Sequence, residues 1–293
     1  ALDSHARVLE QNYLDRQLKQ LGQQLLRTPD NDERMAMLDD FSNALVAKEK
    51  QPCTSFMAGC RSLAKELERR YELRGKLLGM TTGLSDLDAV TQGLHRGDLV
   101  VVAGASSMGK TAFACSVVES AAKQGHASLI ISCEMTTEQL LMRVVSSQGK
   151  IPMERVRSAN LQAADWNRLQ SAFGEVAQLP IEVNDSAGVS LADIERQVKR
   201  HKKQRGIEIV LIDYLQILGY DKSNEQRELD RITTGLKNLA KSQDVCVVLL
   251  SQLNRQGQRE DRTPTLIDLK GSGAIEANSD LVLFPWRPGA ACP

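Results

Sequence analysis

The sequence predicts an α/β protein with a mainly parallel sheet flanked by helices, preceded by a helical segment and a linker helix. Three observations predict it. Short β-branched apolar runs alternate with longer helix-forming stretches over the last two thirds of the chain, as expected of parallel strands joined by crossover helices. One strand-to-helix junction carries Gly104-Ala105-Ser106-Ser107-Met108-Gly109-Lys110-Thr111, two glycines spaced by four residues and followed by Lys and Thr, which fits the phosphate-binding loop pattern. Upstream of both, apolar residues recur at helical spacing without strand-like alternation.

Taken in order, Leu14, Leu18, Leu21 and Leu25 predict a helix that Thr28-Pro29-Asp30-Asn31-Asp32 breaks. Met35, Leu38, Phe41 and Leu45 predict a second. Such a pair is too small to bury a core alone, so residues 1–52 read as the tail of a larger helical domain or as a docking hairpin. A linker helix is expected over 53–73, with Phe56, Cys60, Leu63, Ala64, Leu67 and Tyr71 on one face. That stripe packs either on its own domain or on a neighbouring subunit. Helical periodicity stops near Arg74-Gly75, which opens a third region over 74–293.

In that region Asp98–Ala103 reads as a buried strand and Thr111–Ala122 as the helix after the loop. Ser128–Cys133 is a second strand and Thr136–Gln148 a helix, with further helices over Leu161–Leu179 and Leu191–Arg205. Ile207–Ile212 is a strand, Glu225–Ser242 a helix, and Val245–Leu250 and Leu281–Phe284 the last strands.

The loop residues have distinct tasks. Glycines let backbone amides turn inward around phosphate oxygens. Lys110 is placed to meet the β- and γ-phosphates, and the Thr111 hydroxyl to ligate Mg²⁺. In an open α/β sheet a ligand sits beyond the carboxyl ends of the strands. The residues just past each strand therefore add Glu134, Asp213 and Gln252 to the candidate site. Asp213 suits the acid that holds Mg²⁺ through water, Glu134 the base for an attacking water, and Gln252 a sensor of the γ-phosphate. The cofactors expected are ATP and Mg²⁺.

Composition narrows the remaining choices. A hydrophobic share of 42% and a charged share of 25% are ordinary for a soluble globular chain of 293 residues. Runs such as Val245–Leu250 are strand-length, far below the roughly 20 residues of a membrane span. Six scattered cysteines match a reducing cytoplasm, and none has a zinc-like spacing to histidine. No signal peptide is visible and the first residue is Ala, so a fragment or a processed chain is expected. Formal net charge is zero, so any nucleic-acid site must be a local patch. The basic run Lys199–Arg205 reads as a solvated helix end rather than such a patch.

Beyond these readings, Ser107-Met108-Gly109-Lys110-Thr111-Ala112, Ser132-Cys133-Glu134-Met135, Ile212-Asp213-Tyr214-Leu215-Gln216 and Leu250-Ser251-Gln252-Leu253-Asn254-Arg255 resemble the successive motifs of DnaB-type replicative DNA helicases. Those are hexameric ring motors with RecA-like P-loop ATPase cores. Asp268-Leu269-Lys270-Gly271-Ser272-Gly273-Ala274-Ile275-Glu276 looks like the family's segment near its central-channel DNA loop. The resemblance runs from about Ser55 to Phe284, and more weakly back to the first residues.

It implies that 74–293 is a helicase ATPase domain and 1–52 the end of an N-terminal domain. Glu134 would be the catalytic base, Asp213 the Mg²⁺-associated acid, and Gln252 the coupling residue. Lys270, Gly271 and Gly273 would face DNA, although the family usually has Arg-Glu where this chain has Lys270-Gly271. An aromatic share of 4% favours backbone and Lys contacts to phosphates over base stacking. The resemblance also implies a homo-hexameric ring, single-stranded or forked DNA as track, 5′ to 3′ travel, and a primase and a helicase loader as partners. No membrane is involved, and the place of action is the cytoplasm, at the nucleoid.

The run Pro285–Pro293 departs from the family's pattern, so the domain reads as C-terminally truncated and its arginine finger is not identifiable. A recombinase or clock-type RecA-like ATPase is the same-fold alternative. A truncated, non-catalytic ring subunit that binds nucleotide and partners is the alternative from another class.

Overall fold

Leu99–Gly104 (β1), the strand that leads into the phosphate-binding pattern, is buried along its whole length. An apolar run reads this way when both faces of a parallel strand are covered. The computed structural model describes residue 16, residues 18–31, residues 34, 37, 38 and 41, and residues 55–72, 77–213, 225–254, 262–269 and 272–287. The chain divides into two compact units, Ala1–Glu72 and Leu73–Pro293.

In the first unit residues 18–27 are helical, and Arg34 closes the following turn by donating to the carbonyls of Leu25 (3.0 Å) and Thr28 (2.5 Å). Leu14, Met35 and Leu45, expected on the first two helices, lie outside the described residues. Phe56–Glu72 (α1) is a helix in which no residue is buried. Glu66 accepts from Arg69 and Arg70 one turn on, and these hydrogen bonds pull its carboxyl down to about 2.

The second unit holds a six-stranded sheet in the order β3-β2-β4-β5-β1-β6, every pair parallel. Its other strands are Ser128–Ser132 (β2), Ile181–Asn184 (β3), Ile209–Asp213 (β4), Cys246–Gln252 (β5) and Leu281–Leu283 (β6). The helices are Ser85–Thr91 (α2), Lys110–Lys123 (α3), Thr137–Gln148 (α4), Met153–Arg157 (α5), Ala163–Val176 (α6), Leu191–Arg205 (α7), Glu225–Gln243 (α8) and Ser272–Asn278 (α9). Alternate strand residues serve opposite faces, as the period of two requires. Val101, Ile131, Ile212 and Leu249 pack with Ile194, Val198, Ile232, Leu236 and Ile275 of α7, α8 and α9. Val100, Ile130, Leu211 and Val248 pack with Ala114, Val118 and Leu140 of α3 and α4. Among the described residues no helix is long and apolar enough to cross a membrane.

The boundaries differ from expectation where sequence periodicity is shortest. β3 is absent from the expected strands: it is a four-residue edge strand, half-buried throughout, that starts directly after Pro180. The helix expected over Leu161–Leu179 is shorter, opening on a Gln162–Asp165 capping box and ending ahead of that proline. The short helices α2, α5 and α9 are likewise additions to the expected set, because each holds less than two turns of pattern.

A small closure delivers the chain into β1. Met80 and Leu94 form an antiparallel bridge, and the Asp88 carboxylate ties the returning strap by accepting from Thr81 Oγ1 (2.6 Å), Thr82 N (2.9 Å) and Thr82 Oγ1 (2.6 Å). Burial opposes ionisation of Asp88, but these donors outweigh it and hold the carboxyl below its ordinary value. Gly93 has φ +86°, and a Cβ there would stand 2.7 Å from the Met80 carbonyl oxygen. Gly93→Ala should therefore lower the free energy of urea unfolding by about 1–3 kcal/mol, since strain and overlap act together. An unchanged urea midpoint would show that the closure tolerates a side chain.

Candidate nucleotide-binding site

Phosphate-binding geometry at this site starts from backbone conformation. After β1 the chain turns through Ser107 at φ +63° and Gly109 at φ +89°, both left-handed, and enters α3 at Lys110. Gly109 is the N-cap and supplies no side-chain hydrogen bond, so no capping side chain stands between the first turn of α3 and an incoming anion. The Lys110 ammonium folds back over the loop and donates to the carbonyls of Gly104 (2.8 Å) and Ala105 (3.0 Å). A Cβ on Gly104 would lie 3.3 Å from Lys110 Cγ and from the Pro285 carbonyl oxygen, so the lysine stem runs close against bare backbone. Met108 and Ala105 anchor the loop's underside in the core.

Asp213, the last residue of β4, is 3% exposed and accepts a 3.0 Å hydrogen bond from Thr111 Oγ1. The two residues are 102 positions apart in sequence. Burial pushes the Asp213 carboxyl up; the Thr111 hydrogen bond opposes this, the Glu134 charge adds to it, and Lys110 and Arg143 oppose it. Arg143, on α4, is a cation at the site that sequence reasoning missed, since nothing in its spacing marks it.

Glu134 stands two residues beyond the end of β2, not at it. Ser132 Oγ donates to the Met135 carbonyl (2.7 Å) and accepts from the Met135 amide (3.1 Å), closing a turn with Glu134 exposed at its tip. The Cys133 amide fastens this turn to the Asp213 carbonyl at 2.7 Å. Gln252 ends β5 directly opposite Gly104 in the parallel register. The structure thus brings Lys110, Thr111, Glu134, Asp213 and Gln252 to one edge of the sheet. Gly273 is exposed on the first turn of α9, whereas Lys270, Gly271, Arg255 and Tyr214–Gln216 lie outside the described residues.

Among the described residues no group of three or more His, Cys, Asp or Glu could hold a metal unaided. The Thr111 hydroxyl and Asp213 carboxylate are hard oxygen donors. They fit Mg²⁺, which takes one or two protein oxygens and fills its shell with water and phosphate.

Because burial disfavours its ionised form, Asp213→Asn should raise the thermal midpoint of the nucleotide-free protein at neutral pH while weakening Mg²⁺-dependent nucleotide binding. The folded protein holds this proton more tightly than the unfolded chain, so the parent regains stability as pH falls through the raised folded value. The midpoint gap between parent and variant should accordingly narrow on acidification, as followed by calorimetry. A variant less stable than the parent at neutral pH would contradict the assignment of burial as the dominant effect.

Known proteins resemble this chain in sequence and in fold. The chain is 37% identical over 226 residues to the replicative DNA helicase DnaC of Bacillus subtilis (strain 168), covering 75% of this chain and 50% of that relative. It is 30% identical over 297 residues to the replicative DNA helicase DnaB of Geobacillus stearothermophilus, covering 98% of this chain and 65% of the relative. The chain therefore spans between half and about two thirds of these relatives' length. Among solved structures, an ATPase domain superposes with a TM-score of 0.72 at 33% identity over 76% of this chain and 81% of that one. A DnaB-like replicative helicase, solved with its interactions with primase, gives a TM-score of 0.78 at 28% identity over 96% of this chain and 68% of that one. The fold is accordingly that of the RecA-like helicase ATPase domains. Residues 79–291 match the family model of the DnaB-like helicase C terminal domain, and the chain belongs to that family.

Proposed function

We propose that the chain is the motor part of an ATP-dependent replicative DNA helicase, which hydrolyses ATP to move along single-stranded DNA and unwind duplex at a fork. The observation that carries this reading is the Thr111–Asp213 hydrogen bond, which sets a hydroxyl and a carboxylate side by side at the mouth of the phosphate loop. Bound Mg²⁺ would neutralise charge on the β- and γ-phosphate oxygens and fix their position. Thr111 and Asp213 would hold that ion, Asp213 through water. Lys110 would exchange its two carbonyl acceptors for phosphate oxygens. Glu134, exposed outside the loop, would orient a water and accept its proton, and Gln252 would meet the γ-phosphate and pass its presence along β5.

Lys270, Gly271 and Gly273 are proposed to meet DNA through backbone and ammonium contacts to phosphates, with little sequence preference. The division into an N-terminal domain end (1–52), a linker helix (53–73) and a motor domain (74–293) is part of the same reading. So are the hexameric ring, a helicase loader and a cytoplasmic place of action. A primase partner is carried over from the DnaB-like helicase solved with its primase interactions. Support for the ring comes from α1, where Phe56, Leu63, Leu67 and Tyr71 are 92%, 58%, 54% and 67% exposed on one face. A stripe that its own unit does not bury is suited to a neighbouring subunit.

Two tests separate these parts. Glu134→Gln should retain nucleotide affinity and lose about 10²–10⁴-fold in turnover, whereas Lys110→Ala should weaken nucleotide binding itself by roughly 10- to 150-fold. Nucleotide titration beside steady-state ATPase, with and without single-stranded DNA, reads both. Parental turnover in Glu134→Gln would mean that the water is activated by another group. Deleting residues 53–73 should abolish the nucleotide-dependent oligomer on size-exclusion chromatography, and an unchanged oligomer would return α1 to packing within its own domain.

A further inference from the structure

Asp268 is a buried carboxylate far along the chain from the phosphate loop, and Arg262 and Thr265 donate to it. It is 2% exposed. Oδ2 accepts from Arg262 Nη1 (2.7 Å), Thr265 N (2.8 Å) and Thr265 Oγ1 (3.0 Å), while Oδ1 accepts from Arg262 Nη2 (2.8 Å). The guanidinium is therefore a two-pronged fork on the carboxylate, a geometry that lysine cannot copy. The Arg262 hydrogen bonds, with the Thr265 amide, hold the Asp268 carboxyl down at about 2 against the cost of burial, so the pair stays ionised throughout the working pH range.

This clamp sits at one backbone junction. Asn254 N–H donates to the Asp268 carbonyl (2.7 Å), Asn254 Nδ2 donates to the Ile267 carbonyl (2.9 Å), and Leu253 and Leu269 form an antiparallel bridge. Leu253 follows Gln252, which pairs with Gly104 at the start of the phosphate loop. Leu269 precedes Lys270 in sequence. On the far side Ile275 of α9 is fully buried, and Asn278 ties that helix to Thr233 Oγ1 of α8 at 3.2 Å. Leu253, Leu269 and Ile275 lie in the same apolar cluster as Ala105, with Met108 packed on it. One apolar cluster thus joins Ala105 and Met108 of the phosphate loop to Leu269 and Ile275, which precede and follow positions 270–271 in sequence.

We infer that Arg262 and Asp268 are positioning residues that link the nucleotide-sensing end of β5 to the segment proposed to grip DNA. This rests on the replicative-helicase reading above. The pair fixes Leu269 against Leu253, so that a displacement of Gln252 on engaging the γ-phosphate is delivered to Lys270 rather than lost in a loose connection.

The test is a coupling measurement on the full chain. Affinity for a fluorescent oligothymidylate is measured by anisotropy with and without a non-hydrolysable ATP analogue and Mg²⁺, and the ratio of the two affinities is compared across variants. Such ratios commonly span roughly 5- to 150-fold. Arg262→Gln should bring the ratio close to one while leaving analogue affinity and DNA-free ATPase within about twofold of the parent, because the phosphate loop keeps its own contacts. Arg262→Lys, which keeps the charge without the fork, should give an intermediate ratio. A parental ratio in a folded Arg262→Gln overturns the inference. So does a parental ratio in Arg262→Lys if Arg262→Gln fails to fold, for the pair then serves only the fold. Failure of the parent chain to bind the oligonucleotide at all sinks the helicase reading, and with it this one; a coupled parent with unaffected variants sinks this one alone.

Discussion

Everything at the site depends on the height at which strands end. Ile212 of β4 pairs with Leu249 of β5, and Leu249 pairs with Val101 of β1, so these three lie on one level across the sheet. Ser132 of β2 pairs with Asp213 one step higher. The phosphate loop rises from Gly104, arcs through two left-handed residues and returns at α3, where the Thr111 hydroxyl meets Asp213 across an intervening strand. Slipping one strand by a single residue would turn its side chains to the opposite face and pull this meeting apart. Burial on both faces is what prevents the slip: Val101 and Ile212 belong to one core and Val102 and Leu211 to the other.

The same arrangement carries local costs in stability. Burial disfavours the charged form of Asp213, and the Thr111 hydroxyl donates to its carboxyl against that cost. Ser107, a residue with a Cβ, occupies a left-handed conformation that costs about 1 kcal/mol or more. These are local departures from what stability alone would choose, clustered where an anion and a cation would relieve them.

Much of this is legible in the sequence, for identifiable reasons. Buried parallel strands announce themselves as unbroken apolar runs, and the residues ending them follow by position, which is how Asp213 and Gln252 are identified without side-chain geometry. β3 escapes because Ile181-Glu182-Val183-Asn184 is a half-covered edge strand whose alternation is too short to stand out. The α9 helix escapes because seven residues hold less than two turns of pattern, while its helicity rests on tertiary support from Ile275 and Asn278. Arg143 and the Arg262–Asp268 fork are illegible in a stricter sense. The six-residue spacing of the fork is not periodic, and Arg143 bears on Asp213 only when α4 and β4 are brought together. The basic run that ends α7 turns partly inward, with the Lys202 ammonium donating to the carbonyls of Ile207 (3.1 Å) and Asp244 (2.9 Å).

The placement of β1 bears on how the protein is made. Its neighbours are β5 and β6, with Leu99 opposite Val247 and Val100 opposite Leu281, and it pairs with no strand that immediately follows it in the chain. On a ribosome the strand carrying the phosphate loop must wait unpaired while about 150 further residues are translated, roughly 7–30 s at ordinary elongation rates. During that interval β2, β3 and β4 can assemble among themselves, since each pair among them is available earlier. The loop after β1 is therefore among the last parts of the sheet to gain its neighbouring strands. A nascent chain halted before Cys246 would carry the complete loop sequence without the neighbouring strands that shape it.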